Sequence, residues 1–384
     1  MNNKLLISGV LGLGTCMIYT PIHAGEAQAQ SKPNVLIIYT DDMGAGDVSF
    51  LNNGWVKTPN IDKLASGGLI VTNYYSSSPV SSPSRVGLTT GRFPTEMGIN
   101  CYLQTRKGNT ACEQFDYLDA SVPTMAKVMK SAGYTTGHFG KWHMGGGRDV
   151  IDAPQITEYG FDEYISTWES PNPDPVITDS AWIWSRTDQV KRWDRTAYFV
   201  DKTLDFLKRH KGEPCFVNLW PDDMHTPWVP SQKTMDSERT SWTTPPNFKE
   251  VLTEYDKQIG RLMEGLTKLG LEKNTIVIFT SDNGPAPSFQ QMRTNSLLGV
   301  KCSLYEGGIR MPFAIHWPEK IKAGGINDSS IVCAVDLLPS LCALTGAKLP
   351  LDMELSGEDM SRALLGEPQI RKKDLMWDFG RNKA

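Results

Sequence analysis

No stretch of this chain is long and apolar enough to form a membrane-spanning helix. The one extended apolar run, Leu5 to Thr20, is broken by Ser8, Gly9, Gly12 and Gly14 and falls short of the roughly 20 residues a span requires. A basic excess is missing too: 39 Lys and Arg stand against 43 Asp and Glu, a net charge of −4, whereas binding to phosphate backbones rests on clustered cations. Nucleic acid is therefore not an expected partner. Internal repeats and low-complexity tracts are also lacking, which excludes a solenoid or a disordered chain. What is present is ordinary globular composition, 40% hydrophobic and 21% charged over 384 residues, enough for one large α/β domain with additions or for two domains.

The apolar run follows Asn2, Asn3 and Lys4 and precedes Ala27-Gln28-Ala29, the order of basic start, apolar middle and small-residue cleavage site found in export signals. Residues 1–29 therefore read as a signal peptide, with the mature domain spanning 30–384 in the periplasm or outside the cell. Lipid anchoring at Cys16 is the weaker reading, because Leu13-Gly14-Thr15 fits a lipobox loosely. Export implies oxidising surroundings. Cys101 and Cys112 are close enough along a polar loop to bridge, while Cys215, Cys302, Cys333 and Cys342 lie in apolar contexts that suit buried thiols.

Asn34 to Thr40 is a near-continuous apolar run between Pro33 and Asp41-Asp42, the pattern of a strand buried on both faces. Thr58-Pro59 then opens a helix that Gly67-Gly68 stops. Helical patterns follow over Val122 to Ala132, Asp194 to Leu207 and Asn247 to Leu269. Each leads into an apolar strand: Tyr134 to Phe139, Cys215 to Trp220, and Thr275 to Thr280. This alternation predicts a doubly wound, mostly parallel sheet with helices on both faces. Residues 151–193, with Trp168, Trp182, Trp184 and Trp193 beside Pro171, Pro173 and Pro175, read instead as an irregular surface insertion, a place where binding residues are often carried.

Polar groups directly follow the predicted strands: Asp41-Asp42, then Lys141 and His143, then Asp282-Asn283, with His225 just beyond Trp220. In an open parallel sheet these segments converge on one edge. The carboxylates and the amide offer oxygen ligands only, suiting Ca²⁺ or Mg²⁺, and no Cys or His cluster points to zinc. Ser81-Ser82-Pro83-Ser84-Arg85 places proline in the first turn of a helix and the serines where free N–H groups favour an anion. Spacing alone favours a serine-rich turn that merely caps a helix.

The same stretch, continued through Leu88-Thr89-Thr90-Gly91-Arg92, resembles the signature of type I sulfatases, with Thr89 standing where that family usually has Leu or Met. The likeness runs from Asn34 to about Phe379 through Asp41-Asp42-Met43-Gly44, Thr58-Pro59-Asn60-Ile61-Asp62, Gly140-Lys141-Trp142-His143, Ser281-Asp282-Asn283-Gly284 and the block Lys301 to Arg310. It implies an alkaline-phosphatase-like fold and hydrolysis of sulfate esters, with a sulfated hexose of a glycan as substrate. It also implies that a radical maturation enzyme oxidises Ser81 to Cα-formylglycine, whose hydrate is the nucleophile. Asp41, Asp42, Ser81, Asp282 and Asn283 would hold Ca²⁺, with Mg²⁺ the second choice. Arg85, Lys141 and Lys301 would stabilise the sulfate, His225 would protonate the departing oxygen, and His143 would act as the base that frees the sulfate. Family members carry a smaller C-terminal subdomain, which in this chain is expected to be short or truncated.

Two alternatives share these residues: a phosphoric ester hydrolase on the same fold using unmodified Ser81, and a non-catalytic glycan binder that stacks sugars on tryptophan. Within the insertion, Trp168, Trp182 and Arg186 are the candidate substrate contacts.

Overall fold

The computed structural model describes residues 32–51, 54–178, 184–380 and 382–384. The expected signal peptide, with Cys16, and the candidate Trp182 lie outside them. In chain order the strands are β1 (Asn34–Thr40), β2 (Leu69–Val71), β3 (Tyr74–Tyr75), β4 (Thr135–Gly140), β5 (Glu163–Ser166), β6 (Cys215–Trp220), β7 (Thr275–Ser281), β8 (Phe313–His316), β9 (Gly325–Asn327), β10 (Val332–Cys333), β11 (Asp378–Phe379) and β12 (Asn382–Lys383). The helices are α1 (Pro59–Ser66), α2 (Ser81–Thr90), α3 (Arg106–Ala111), α4 (Met125–Ser131), α5 (Arg195–Arg209), α6 (Gln232–Asp236), α7 (Pro245–Leu269), α8 (Glu306–Ile309), α9 (Leu337–Thr345) and α10 (Ser361–Leu364).

Eight strands form the main sheet in the order β5-β4-β6-β1-β7-β8-β2-β9. All pairings are parallel except those of β8, which runs against both β7 and β2. The central strand shows why the sheet is covered on both sides. Val35, Ile37 and Tyr39 of β1 join one core with α2, α4 and α9. Leu36 and Ile38 point the other way, into a second core built on α1, α5 and α7. A two-residue side-chain period therefore feeds two apolar layers from one strand. The predicted doubly wound sheet is the one observed, with β8 the exception.

Residues 151–193 do not form one irregular insertion. Glu163–Ser166 is a short edge strand that continues the parallel sheet beside β4, and 3₁₀ turns lie at Ile156–Tyr159 and Arg192–Asp194. Four residues of mixed polarity among prolines carry too little periodicity to announce a strand. Cys101 and Cys112 are neighbours, as expected, and are present as free thiols with their side chains in contact.

Candidate active site

Parallel pairing brings five strand ends to one edge. Thr40 is level with Ser281, and Gly140 is level with both Trp220 and Ser166. The residues that follow, Asp41-Asp42, Asp282-Asn283, Lys141 to His143, Asp222 to His225, and Trp168-Glu169, therefore meet although they lie far apart in sequence. Two of them leave their strands in the left-handed region, Asp42 at φ 57° and His143 at φ 54°. For residues with a Cβ this costs about 1–3 kcal/mol and persists only where surrounding contacts enforce it.

Ser81 is the first residue of α2, buried, with Oγ 3.0 Å from Asp41 Oδ1 and 3.3 Å from Asn283 Oδ1. Asp41, Asp42 and Asp282 are fully buried, and each offers an oxygen within 4.8 Å of the others. Three cations answer them. Arg85 Nη2 donates to Asp282 at 2.8 Å, Lys141 Nζ to Asp41 at 2.9 Å, and Lys301 Nζ to both oxygens of Asp42 at 2.6 and 2.8 Å. Against the burial that opposes it, Lys141, His225 and Arg85 hold Asp41 well below the usual carboxylate range. Burial, together with the charges of Asp41 and Asp42, pushes Asp282 up to about 7. A divalent cation would relieve that repulsion, and an oxygen-only donor set suits Ca²⁺ or Mg²⁺. The residues present therefore fit such an ion.

Arg85 is locked in place. Its guanidinium also lies over the rings of Trp220, at 5.1 Å, and Tyr39, at 5.5 Å. Breaking such a buried ion pair from one side costs about 3–5 kcal/mol, because the remaining charge is left unanswered.

The two histidines are held in opposite ways. His225 Nδ1 lies 2.6 Å from the Thr226 carbonyl, so this nitrogen carries the proton and leaves Nε2 facing Asp42 at 3.7 Å. Burial and the Lys301 charge lower its pKa. The loop that carries it is anchored by Arg192, which donates to the carbonyls of Asp222 and His225 and to the Asp222 carboxylate, where Arg195 also donates. His143 Nε2 lies 3.1 Å from the Leu103 carbonyl, which makes Nε2 the donor and turns Nδ1 toward Glu169 Oε2, 3.3 Å away. Burial and Lys141 lower His143 to about 3, against the pull of Glu169.

Glu169 and Asp222 were not singled out from the sequence, and Arg192, which the sequence offers with Asp174, Arg186 and Lys191 as a polar group of the tryptophan-rich stretch, is taken up by Asp222 and the His225 loop. Glu169 is buried between His143, Lys141 at 3.7 Å and Arg148 at 3.1 Å. Although burial opposes it, contact with His143 and the charges of Lys141 and Arg148 hold its carboxyl down at about 2. The one sequence signal was its place beside Trp168 in the tryptophan-rich stretch.

Residues 33–347 match the sulfatase family model. The chain belongs to the sulfatase family. An N-acetylgalactosamine-6-O-sulfatase of Bacteroides thetaiotaomicron is 28% identical, the match covering 94% of this chain and 82% of that protein. Arylsulfatase A of Bos taurus is 31% identical over 89% of this chain and 70% of its own length. Among solved structures, one from work on glycosaminoglycan metabolism by Bacteroides thetaiotaomicron superposes with a TM-score of 0.74 at 28% identity, covering 90% of this chain and 84% of the other. The protein is thus a sulfuric ester hydrolase with an alkaline-phosphatase-like fold. No helix among the described residues is long and apolar enough to cross a membrane.

Around this sulfatase site the candidate substrate contacts divide. Trp168 lines a small pocket with Asp41, Lys141 and His225, buried beneath the Arg148 guanidinium at 4.9 Å. Arg186 lies on the wall of a larger cleft of about 710 Å³ that His225 also borders. Trp184, not chosen from the sequence, packs edge to face against Trp242 at 5.1 Å in the same wall.

Proposed function

We propose that the protein hydrolyses an O-sulfate ester on a hexose of a sulfated glycan, acting at the edge where Ser81 meets three buried carboxylates and three cations. The observation that carries this reading is the position of Ser81 Oγ beside Asp41 and Asn283, at the entry to α2, with cations enough to answer a sulfate. Asp41, Asp42, Asp282, Asn283 and the residue at 81 would hold a divalent cation, Ca²⁺ in preference to Mg²⁺, which when bound would supply Lewis-acid polarisation of the sulfate. Ser81 is oxidised by a maturation enzyme to formylglycine, losing two hydrogen atoms. When hydrated, this group supplies a geminal diol, which can attack sulfur and later expel sulfate, whereas plain serine would be left as a stable ester.

The remaining steps fall to residues of the chain. Lys141, Lys301 and Arg85 offset the negative charge of the sulfate. His225, in its imidazolium form with Nδ1–H donating to the Thr226 carbonyl, gives the proton on Nε2 to the departing sugar oxygen and is left as the neutral imidazole. His143, with Nε2 tied to the Leu103 carbonyl, takes a proton at Nδ1, where Glu169 stabilises the resulting imidazolium. Trp168 and Arg186 contact the saccharide. The relatives' sugar specificities support a hexosamine 6-sulfate as the first compound to try. Residues 1–29 direct export, and 30–384 form the working domain.

The mass of the tryptic peptide containing Ser81, made together with a maturation enzyme, should be lower by two hydrogens, and activity should track the modified fraction. Full activity from protein with only unmodified serine would sink the proposal.

A further inference from the structure

Among the described residues, every arginine except Arg239 pairs with a carboxylate. Arg239 is exposed, and its guanidinium lies 5.8 Å from the centre of the Trp242 ring. That ring is itself fixed. Trp242 Nε1 donates to the Thr234 carbonyl at 2.9 Å, its backbone carbonyl accepts from Trp228 at 2.8 Å, and Trp184 packs on it. Arg239, Trp242, Trp184 and Arg186 line one cleft, which His225 also borders. Among the described residues the Arg186 guanidinium pairs with Asp236 alone, at 3.4 Å, with both side chains about half exposed, a pairing weak enough to yield to a ligand.

We infer that this cleft is a second anion subsite, in which Arg239, with Arg186 beside it, binds a carboxylate or further sulfate on the saccharide next to the scissile ester. The inference rests on the proposed function above. His225 is the proposed donor to the leaving oxygen, so the wall it borders faces the sugar side of the ester. A planar guanidinium braced on an aromatic face and lacking a carboxylate partner is suited to bidentate recognition of an anion. The substrate class is accordingly a polyanionic glycan rather than a singly sulfated neutral one.

The probes are 4-nitrophenyl sulfate, a 6-sulfated hexosamine, its disaccharide with an adjacent uronate, the same disaccharide with the carboxyl reduced to the alcohol, and a disulfated disaccharide. Wild-type protein should favour the uronate or the disulfated compound over the reduced one by about tenfold in KM, which also separates carboxylate from sulfate as the preferred anion. Arg239→Gln should remove that preference with kcat unchanged, leave 4-nitrophenyl sulfate unaffected and keep Tm. Arg239→Lys should restore part of it. Equal KM for charged and reduced disaccharides, or an equal loss on all substrates in Arg239→Gln, would overturn the subsite while leaving the sulfatase reading intact. Sulfate release from none of the probes would count against the proposed function, and this inference would fall with it.

Discussion

The floor and the rim of the site are built on opposite principles. On the floor, Asp41, Asp42, Asp282 and Arg85 have almost no solvent exposure, and each is matched by an opposite charge from another strand end, from α2 or, for Asp42, from Lys301 on the segment before α8. At the rim, Arg186 and Arg239 are exposed on loop-borne walls, with one carboxylate at 3.4 Å between them. Charge development at sulfur is the same for every sulfate ester, so fixed, preorganised groups serve it. The sugar varies, and loops can change without disturbing the sheet. The floor should therefore affect all substrates alike, and the rim only some.

The strongest way to break this division is to remove a floor carboxylate. Asp282→Ala should strip the bound Ca²⁺ or Mg²⁺, measured by elemental analysis, and lower activity on every substrate by at least about a hundredfold. Because it also leaves Arg85 short of its 2.8 Å partner, Asp282→Asn is the better control for folding. Retention of both metal and activity in Asp282→Asn, or indifference of the wild-type protein to a chelator, would contradict a cation on the floor.

His225 stands where the two regions meet, facing Asp42 yet bordering the cleft. His225→Ala should slow release of a sugar alcohol by about 10²–10⁴-fold, the usual range for a general acid. The effect on 4-nitrophenyl sulfate should be much smaller, because nitrophenolate departs without a proton. Equal losses on both would remove the acid role.

Legibility in the sequence follows the same division. The runs behind β1, β6 and β7 and the long apolar stripe of α7 were readable because burial on both faces, or along one helical stripe, leaves a strong pattern. The carboxylates Asp41, Asp42 and Asp282 were readable because they directly follow such strands, whereas Arg85 and Lys301 were reached through the family resemblance. The reversed direction of β8 was not, since four buried residues look alike whichever way they run. Glu169 was missed because a single carboxylate in a proline-rich stretch has no periodicity. The pairing of Arg192 with Asp222 was not readable because it spans thirty residues. Arg239 and Trp242 lie on a single 3₁₀ turn, Arg239–Thr243, just before α7, where only the fold reveals the neighbour.

Glu169→Gln sharpens the comparison from inside the floor. It keeps the volume but removes the charge facing His143 Nδ1 at 3.3 Å. The expected result is a fall in kcat of about tenfold, similar for sugar and nitrophenyl esters, with KM little changed, because sulfate release is common to both. A loss confined to saccharides would move Glu169 to the substrate-contacting group.

The smallest effects belong to the rim. Trp168 is 7% exposed and packed under Arg148, so Trp168→Ala would open a cavity costing about 3–5 kcal/mol and confuse binding with folding. Trp168→Phe retains most of the packing and is the variant for kinetics. Arg186 needs no such care, since its pairing with Asp236 is half exposed and contributes about 0–1 kcal/mol. Arg186→Ala should therefore leave Tm within a degree or two, raise KM for sulfated saccharides about two- to fivefold and leave 4-nitrophenyl sulfate unchanged. The modest size follows from the exposure of the guanidinium, since a solvent-screened contact is worth less than one on the floor. If Arg186→Ala and Trp168→Phe lowered Tm while saccharide kinetics stayed normal, the rim would be packing alone, and selection of the sugar would have to come from elsewhere in the cleft.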